Sequence, residues 1–330
     1  MENKLKGLKA HTIVVADTGD FEAIEKYQPR DATTNPSLIL KAAKDARYKH
    51  LIEDAIDWAK KRSPKGALLN TVLHKIFVNF GLEILKVVPG RVSTEVDARF
   101  SFDVDASLKL AHDYIAMYKE AGINKERILI KLASTWEGIE TCRQLEKEGI
   151  HCNMTLLFNK EQAIAAAEAH ATLISPFVGR IMDFQKKAEG RESIPANEDK
   201  GVLSVTDIYH YYKKHGYATE IMGASFRNTE EILALAGCDL LTISPDLLEK
   251  LAIEKGAVPK MLSKEKSSSI GTEKIHVDEK AFRWALNEDP MTTEKLAEGI
   301  RNFAKDTRTL ETFLMENFSI PKSGSGAKVL

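Results

Sequence analysis

Lys131 stands alone in an apolar run, residues 128–134 (ILIKLAS). Burying an ammonium is costly, and a lysine placed there escapes by giving up its proton. The neutral amine is the nucleophile that carbonyl chemistry needs, so the run points to imine formation. A snorkelling or salt-bridged lysine at a strand end would leave the same pattern. Two acids sit in comparable runs. Asp17 ends residues 11–17 (HTIVVAD), and Glu95 lies within residues 91–96 (RVSTEV). A carboxylate beside a lysine-derived imine can shuttle protons for carbinolamine formation and for C–C cleavage. The structural alternatives are a turn or helix cap at Asp17 and an ion pair between Glu95 and a strand neighbour, Lys131 included.

A set of hydroxyls and amides follows the same placement: Thr33, Asn35, Ser93, Asn153, Thr155, Ser175 and Ser225. Buried polar side chains must find partners, and a polyhydroxylated sugar would supply them; backbone groups at strand–loop corners would as well. Arg180 and Arg227 each come a few residues after a late β-like run, behind SPFVG and GASF. Guanidinium groups bind phosphate through paired donors, although either could instead pair with a helix acid. Gly179 and Gly223 would let a backbone approach closely, or would simply make turns.

These residues need a frame that brings them together. Eight short runs have little polar alternation, which suits a sheet buried on both faces. They are residues 11–16, 31–35, 91–96, 127–132, 152–157, 172–176, 220–224 and 240–244. Amphipathic stretches lie between most of them, at residues 38–45, 48–61, 70–87, 106–121, 136–149, 161–170 and 228–237. Strands alternating with helices predict a parallel α/β fold. Eight such units in about 250 residues is the arithmetic of a (β/α)8 TIM barrel. A doubly wound open sheet competes, but the sequence has no GxGxxG after the first run and no GxxxxGK[ST]. A barrel gathers polar groups from the C-terminal strand ends over one mouth. Residues 186–200 and 259–271 read as loops, and the sequence turns helical again after residue 275. Residues 1–320 are expected to form one barrel domain, with residues 321–330 a disordered tail.

Composition narrows the function classes. With 43% hydrophobic and 29% charged residues, the chain reads as soluble rather than disordered or membrane-spanning. No run approaches 18 uninterrupted apolar residues, and the basic start does not read as a signal peptide. The three cysteines are too few for a disulfide scaffold, so a cytoplasmic location is expected. A net charge of −1 speaks against nucleic acid as the main partner. The nine histidines are dispersed, and no HExxH or paired CxxC predicts a metal. Cys142 and Cys152 read as inert packing residues. Residues 208–217 (IYHYYKKHGY) read as a helix with a basic last turn rather than an RNA surface.

The strings VVADTGDF, DATTNPSLIL, PGRVSTEVDAR, RILIKLASTWEGI, HCNMTLLF, LISPFVGRI and MGASFRN occur in that order along the chain. With them the sequence closely resembles the transaldolases of the pentose phosphate pathway, from about Thr12 to Asn317. The resemblance implies a (β/α)8 barrel with added helices, a C-terminal one lying over the mouth, and neither a metal nor another cofactor. It places the Schiff-base lysine on Lys131, the acid–base aspartate on Asp17, and the glutamate of a proton-relay water on Glu95, with Thr155 holding that water. Substrate hydroxyls fall to Asn35, Asn153 and Ser175, with Thr33, Ser93 and Ser225 nearby. Phosphate falls to Arg180 and Arg227, and Phe177 matches a pocket aromatic. The implied reaction moves a dihydroxyacetone unit from sedoheptulose 7-phosphate or fructose 6-phosphate to glyceraldehyde 3-phosphate or erythrose 4-phosphate. An aldolase that releases the three-carbon unit is the alternative enzyme. A catalytically dead sugar-phosphate sensor is the alternative of another class. The family is often dimeric, so a homodimer is one expectation, with Phe282 a candidate interface residue if exposed.

Overall fold

The computed structural model describes residues 2–64 and 66–322. Eight parallel strands pair in chain order and close into a barrel, the last bonding to the first. They are β1 Ile13–Asp17, β2 Asp31–Thr33, β3 Val92–Glu95, β4 Ile128–Ala133, β5 Cys152–Leu157, β6 Leu173–Pro176, β7 Glu220–Gly223 and β8 Leu240–Ile243. The eight expected runs all became strands, most shortened by a residue or two at an end. Most of the tail expected from residue 321 lies outside the described residues.

Alternation along each strand builds the interior in layers. One set of side chains faces the surrounding helices and joins the main core: Val14, Ala32, Val92, Ile130, Met154, Ile174, Ile221 and Leu241. The other set faces the barrel axis. Its floor is apolar, made by Val15, Leu129, Leu173, Met222 and Leu240. One step nearer the strand C-termini the same inward positions become Asp17, Lys131, Ser175 and Thr242, with Thr33, Ser93 and Asn153 on the strands between. A polar collar therefore rests on a dry floor. That is why the strands read as apolar with isolated polar residues.

The helices were partly anticipated. Trp136–Lys147 and Val104–Glu120 match the periodicity closely. Lys160–Glu168 opens with a capping box in which Asn159 and Gln162 satisfy each other's backbone. Among the described residues five α-helices were not anticipated: Lys4–Lys9, Phe21–Tyr27, Gly179–Glu189, Pro245–Ile253 and Lys264–Ser268. The Gly179–Glu189 helix takes the first residues of the expected loop, and Lys264–Ser268 interrupts the second. The reading of residues 208–217 as helix holds as far as His215, within the longer helix Lys200–His215, which Gly216 ends at a φ of 71°. Phe282 is buried and packs on Trp136 at 5.5 Å between ring centroids, which removes it as an interface residue. Trp284, on the same helix Glu279–Glu288, is exposed.

The terminal helix, Pro290–Phe318, is the element that covers the mouth. Asp289 caps it, accepting hydrogen bonds from the Met291 and Thr292 N–H groups. Arg99, in the loop after β3, pairs with Glu311 at 2.8 Å and also with Asp97. Ser37 donates to Asp306 from the helix after β2. Gly299 lies where the helix meets the barrel. A Cβ there would stand 2.6 Å from a Leu156 methyl and 3.1 Å from an Arg180 nitrogen.

Helix Leu68–Val87 is long and apolar enough to cross a membrane by length and composition alone, yet two-thirds of its most apolar stretch is buried inside the fold. Gly81 explains how closely it packs. A Cβ at this position would fall 1.8 Å from the Tyr118 hydroxyl, which is hydrogen-bonded to Thr94 of β3 at 2.6 Å. Gly81→Ala should therefore destabilise the protein. Overpacking costs about 1–3 kcal/mol, and parting Tyr118 from Thr94 adds to that. The gain of about 1 kcal/mol for alanine over glycine in a helix is smaller. Urea unfolding should show a lower midpoint with an unchanged slope.

Candidate active site

The register of the sheet brings the three reactive side chains together. Glu95 of β3 is paired with Lys131 of β4, and Lys131 in turn with Asn153 of β5. Asp17 of β1 is paired with Thr33 of β2. Lys131 Nζ lies 3.1 Å from Glu95 Oε2 and donates a 3.0 Å hydrogen bond to the Thr34 carbonyl. Lys131 and Glu95 are both nearly fully buried. The strand lysine is thus no isolated amine: its charge has a carboxylate partner, as the structural alternative for Glu95 allowed. Asp17 is no cap. Its Oδ1 accepts the Thr33 hydroxyl at 3.0 Å, and Thr33 also bonds Thr242 at 2.8 Å.

The two acids are held out of their ordinary range. Burial raises the pKa of Asp17, outweighing the opposing charge of Lys131, the Thr33 hydrogen bond and the charge of Arg180. Burial likewise raises Glu95 against the charge and hydrogen bond of Lys131. Each is therefore a carboxyl that can hold a proton nearer neutrality than a solvated one can. Beside Lys131 in the cavity wall, the Thr155 hydroxyl is buried and has no hydrogen-bond partner among the described residues. Its strand is tied to the end of β4, because Ser134 Oγ donates to the Thr155 carbonyl at 2.8 Å and Gln162 Nε2 holds the Ser134 carbonyl at 2.8 Å. Just beyond, Leu156 has a φ of 52°, and the β5–β6 register shifts there. That shift turns the Leu156 side chain to the mouth, where it packs beneath the terminal helix.

The polar collar is a chain of hydrogen bonds. Ser175 Oγ donates to Asn153 Oδ1 at 2.6 Å, and Asn153 Nδ2 donates to Ser93 Oγ at 3.0 Å. Asn35 lines the cavity while its Oδ1 caps the next helix at the Leu38 N–H. The cavity above the collar measures about 230 Å³ and is walled by Asp17, Lys131, Thr155, Phe177, Arg180 and Arg227, among others. Larger clefts of about 730 and 840 Å³ open among residues at the opposite, N-terminal strand ends. We place the site at the smaller one, because only there do buried acid, base and amine converge.

The two arginines are held differently. Arg227 pairs with Asp183 of the Gly179–Glu189 helix at 2.8 Å and is partly exposed. The structural alternative is therefore realised for it, although its side chain still lines the cavity. Arg180 has no ion pair or hydrogen bond among the described residues. It lies over the Phe177 ring at 4.8 Å and the Phe303 ring at 5.7 Å. Burial and the neighbouring charge of Arg227 lower its pKa, in that order. Ser225 takes a left-handed φ of 65°, letting its carbonyl accept the Gly179 N–H at 2.9 Å and binding the two arginine-bearing loops together.

Sequence reasoning did not find Phe303, Phe226, Thr242 or Ser244, all of which line the cavity. Thr242 had a signal, a lone polar residue in a late strand at the inward position. Phe303 had none, since it reaches the site from a helix some 60 residues after the last strand. Nor was it foreseen that Cys142, Glu146 and Cys152 would gather, with ligand atoms within 4.8 Å of one another. Glu146 is engaged there by the N–H groups of Cys152 and Thr172, and burial pushes the Cys152 thiol well up.

Fold and site together define a barrel enzyme of the kind that forms an imine on a buried lysine. Residues 14–314 match the family model described as Transaldolase/Fructose-6-phosphate aldolase. The chain is 60% identical to the transaldolase of Protochlamydia amoebophila, over 97% of this chain and 99% of that protein. It is 57% identical to that of Rattus norvegicus, over 98% and 97%, and 58% identical to that of Shewanella pealeana, over 97% and 100%. The chain belongs to the transaldolase family, whose enzymes are transferases working through a lysine Schiff base.

Phe303→Ala should loosen Arg180 without touching the reacting groups. A cation–π contact contributes about 0.5–2 kcal/mol, so KM for fructose 6-phosphate should rise roughly 2- to 30-fold while kcat changes less. Steady-state kinetics with fructose 6-phosphate varied at a fixed, saturating concentration of erythrose 4-phosphate would show the split.

Proposed function

We propose that this protein transfers a dihydroxyacetone unit between sugar phosphates, with Lys131 as the nucleophile. The observation that carries the reading is the buried contact between Lys131 and Glu95, with Asp17 raised across the same cavity. Lys131 first passes a proton to Glu95, and the neutral Nζ then attacks the C2 carbonyl of a ketose phosphate; the Nζ proton moves to the new alkoxide to give a carbinolamine. Glu95, through a water held by Thr155, delivers the proton with which hydroxide leaves as water, and a protonated imine remains. Asp17 then takes the proton of the C4 hydroxyl. The C3–C4 bonding electrons flow into the imine, an aldose phosphate departs, and a three-carbon enamine stays on Lys131. A second aldose phosphate enters, the enamine attacks its aldehyde carbon, and Asp17 returns the proton to the new alkoxide. Hydrolysis of the imine frees the product ketose.

Arg180 and Arg227 anchor the phosphate of donor and acceptor in turn, since one site serves both half-reactions. Arg180 suits this role because its donors are unengaged among the described residues and its guanidinium rests against the Phe177 and Phe303 rings. Remote phosphate binding then helps position the reacting carbons. Asn35, Asn153, Ser175 and Ser225 supply donors and acceptors for the sugar hydroxyls. The enamine must be kept from water-derived protons, and the terminal helix over the mouth supports that. A plain aldolase would share every step up to the enamine, but the relatives matched over nearly full length are transaldolases.

Borohydride reduction in the presence of fructose 6-phosphate should leave a three-carbon adduct on Lys131, read by peptide mass. No adduct at that residue would end the proposal. Asp17→Asn should instead trap the intact ketose, because imine formation survives and cleavage does not. Adding erythrose 4-phosphate to the wild type should yield sedoheptulose 7-phosphate; release of free dihydroxyacetone alone would make the protein an aldolase.

The pH dependence follows from Asp17. Its ionised form is the base, and burial raises its pKa, so the acid limb of kcat should lie above the range of a solvated aspartate. Thr33→Val removes a hydrogen bond that lowers that pKa, and should move the limb to still higher pH in a kcat–pH profile.

A further inference from the structure

Behind Arg227, away from the reacting groups, two carboxyl side chains are buried against each other. Glu231 belongs to the short helix Thr229–Ala234, and Asp199 caps the helix Lys200–His215. Both are almost fully buried. Each has one oxygen engaged by backbone. Glu231 Oε2 accepts the Arg227 N–H at 2.6 Å, and Asp199 Oδ1 accepts the Gly201 and Val202 N–H groups at 2.7 and 3.3 Å. The other oxygens, Glu231 Oε1 and Asp199 Oδ2, find no donor among the described residues. The two carboxyls are within hydrogen-bonding reach of each other. Two acceptors in contact, out of water and without a donor, require a proton between them.

This contact ties the segment that carries Arg227 to the start of the helix Lys200–His215, which packs on the residue before the Arg180 helix. On one side it grips the backbone of Arg227. On the other it fixes the first turn of Lys200–His215, where a Cβ on Gly201 would fall 2.2 Å from the Val178 carbonyl. Val178 directly precedes the helix that carries Arg180. Gly179 is pressed equally closely on the other loop, with its Cβ direction 2.3 Å from the Ser225 carbonyl.

We propose that Glu231 and Asp199 share one proton, and that this buried acid–carboxylate pair positions Arg227 for phosphate, holding the site in register while the proton is present and releasing it when the proton is lost. The inference rests on reading Arg180 and Arg227 as the phosphate site. Glu231 and Asp199 are positioning residues; neither lines the cavity.

The surroundings favour a proton held near neutrality. Burial raises Glu231 to about 7, the Arg227 N–H opposing and the Asp199 charge adding to the rise. Burial also raises Asp199 against its two backbone N–H bonds. The charged groups around the pair are few. Lys186, from the last turn of Gly179–Glu189, acts on Asp199. Lys200 is turned to Glu189 at 3.2 Å, and Arg191 to Glu198 at 2.8 Å. The Arg227 guanidinium is engaged by Asp183 at 2.8 Å. From the remaining side Gln185 contributes only neutral bonds, accepting the Lys200 N–H. None of these supplies the missing donor. Because Glu231 is raised above its ordinary value of 4.5, the stability it contributes is complete below about pH 4.5 and is lost as pH rises through about 7.

Sulfate provides the test, since it remains a dianion from pH 5.5 to 9 and so reports the protein's titration rather than its own. Its Ki against fructose 6-phosphate should rise with pH in the wild type. One unit above the ionisation the competent fraction is about a tenth, so Ki should be about tenfold higher. Glu231→Gln keeps an acceptor for Arg227 and gives Asp199 a permanent amide donor, so its Ki should stay flat with pH. Asp199→Asn should do the same from the other side, and replaces the first variant if that one fails a folding check by circular dichroism. An upward slope in a folded amide variant equal to that of the wild type overturns the proposal. Arg227→Ala separates the two readings. If it leaves sulfate binding unchanged, the phosphate assignment fails and this inference goes with it. If it weakens sulfate while the amide variants still titrate like the wild type, only the shared proton is wrong.

Discussion

A charged pair inside a barrel sets the terms for everything around it. Lys131 and Glu95 face each other across adjacent strands, out of water, and taking two ions out of water costs several kcal/mol each even after relaxation. The cost is tolerable only where further polar groups complete the shells. The Thr34 carbonyl serves Lys131, and the Ser93–Asn153–Ser175 chain lines the next strands. An interior filled with such groups contributes little hydrophobic stabilisation. Stability must come from the outer faces of the strands, where the main apolar core packs them against the helices. The dry floor below the collar then keeps solvent from entering along the axis. Layering of this kind separates holding the fold from doing the chemistry, although both use the same short strands.

The division also explains what could be read from the chain. Strands buried on both faces leave short apolar runs, so all eight were found. A polar residue at an inward position interrupts such a run, so Asp17, Glu95, Lys131, Asn153, Thr155 and Ser175 stood out before any fold was known. Contacts made by elements without that constraint left no mark. Phe303 sits on an amphipathic helix, where an aromatic reads as ordinary core. Gly299 looks like a weak point in a helix until its neighbours are known. Glu231 and Asp199 look like ordinary helix-terminus acids, one in a first turn and one at a cap. Phe282 was a surface candidate only because sequence could not place Trp136 against it.

Several of the bland readings proved true without displacing the functional ones. Glu95 does make an ion pair with Lys131, Asn35 does cap a helix, and Arg227 does pair with a helix acid. A structural bond and a chemical task need not compete for a side chain. The ion pair is also the shortest path for a proton between amine and acid. The cap fixes one face of an amide whose other face borders the cavity. Arg180 is the exception, held by rings instead of acids, and its donors are correspondingly unspent.

The terminal helix also bears on how this protein is made. The sheet is complete once residue 243 has been synthesised, and β1 can then close on β8. The lysine, its acid and the collar are all present by that point. Phe303, Gly299 and Glu311 leave the ribosome later, so the wall that steadies Arg180 and the tether to Arg99 come after the sheet. A growing chain thus holds its reactive amine before it has a finished site for a phosphorylated sugar. The terminal helix therefore roofs a barrel whose amine, acids and arginines are already in place.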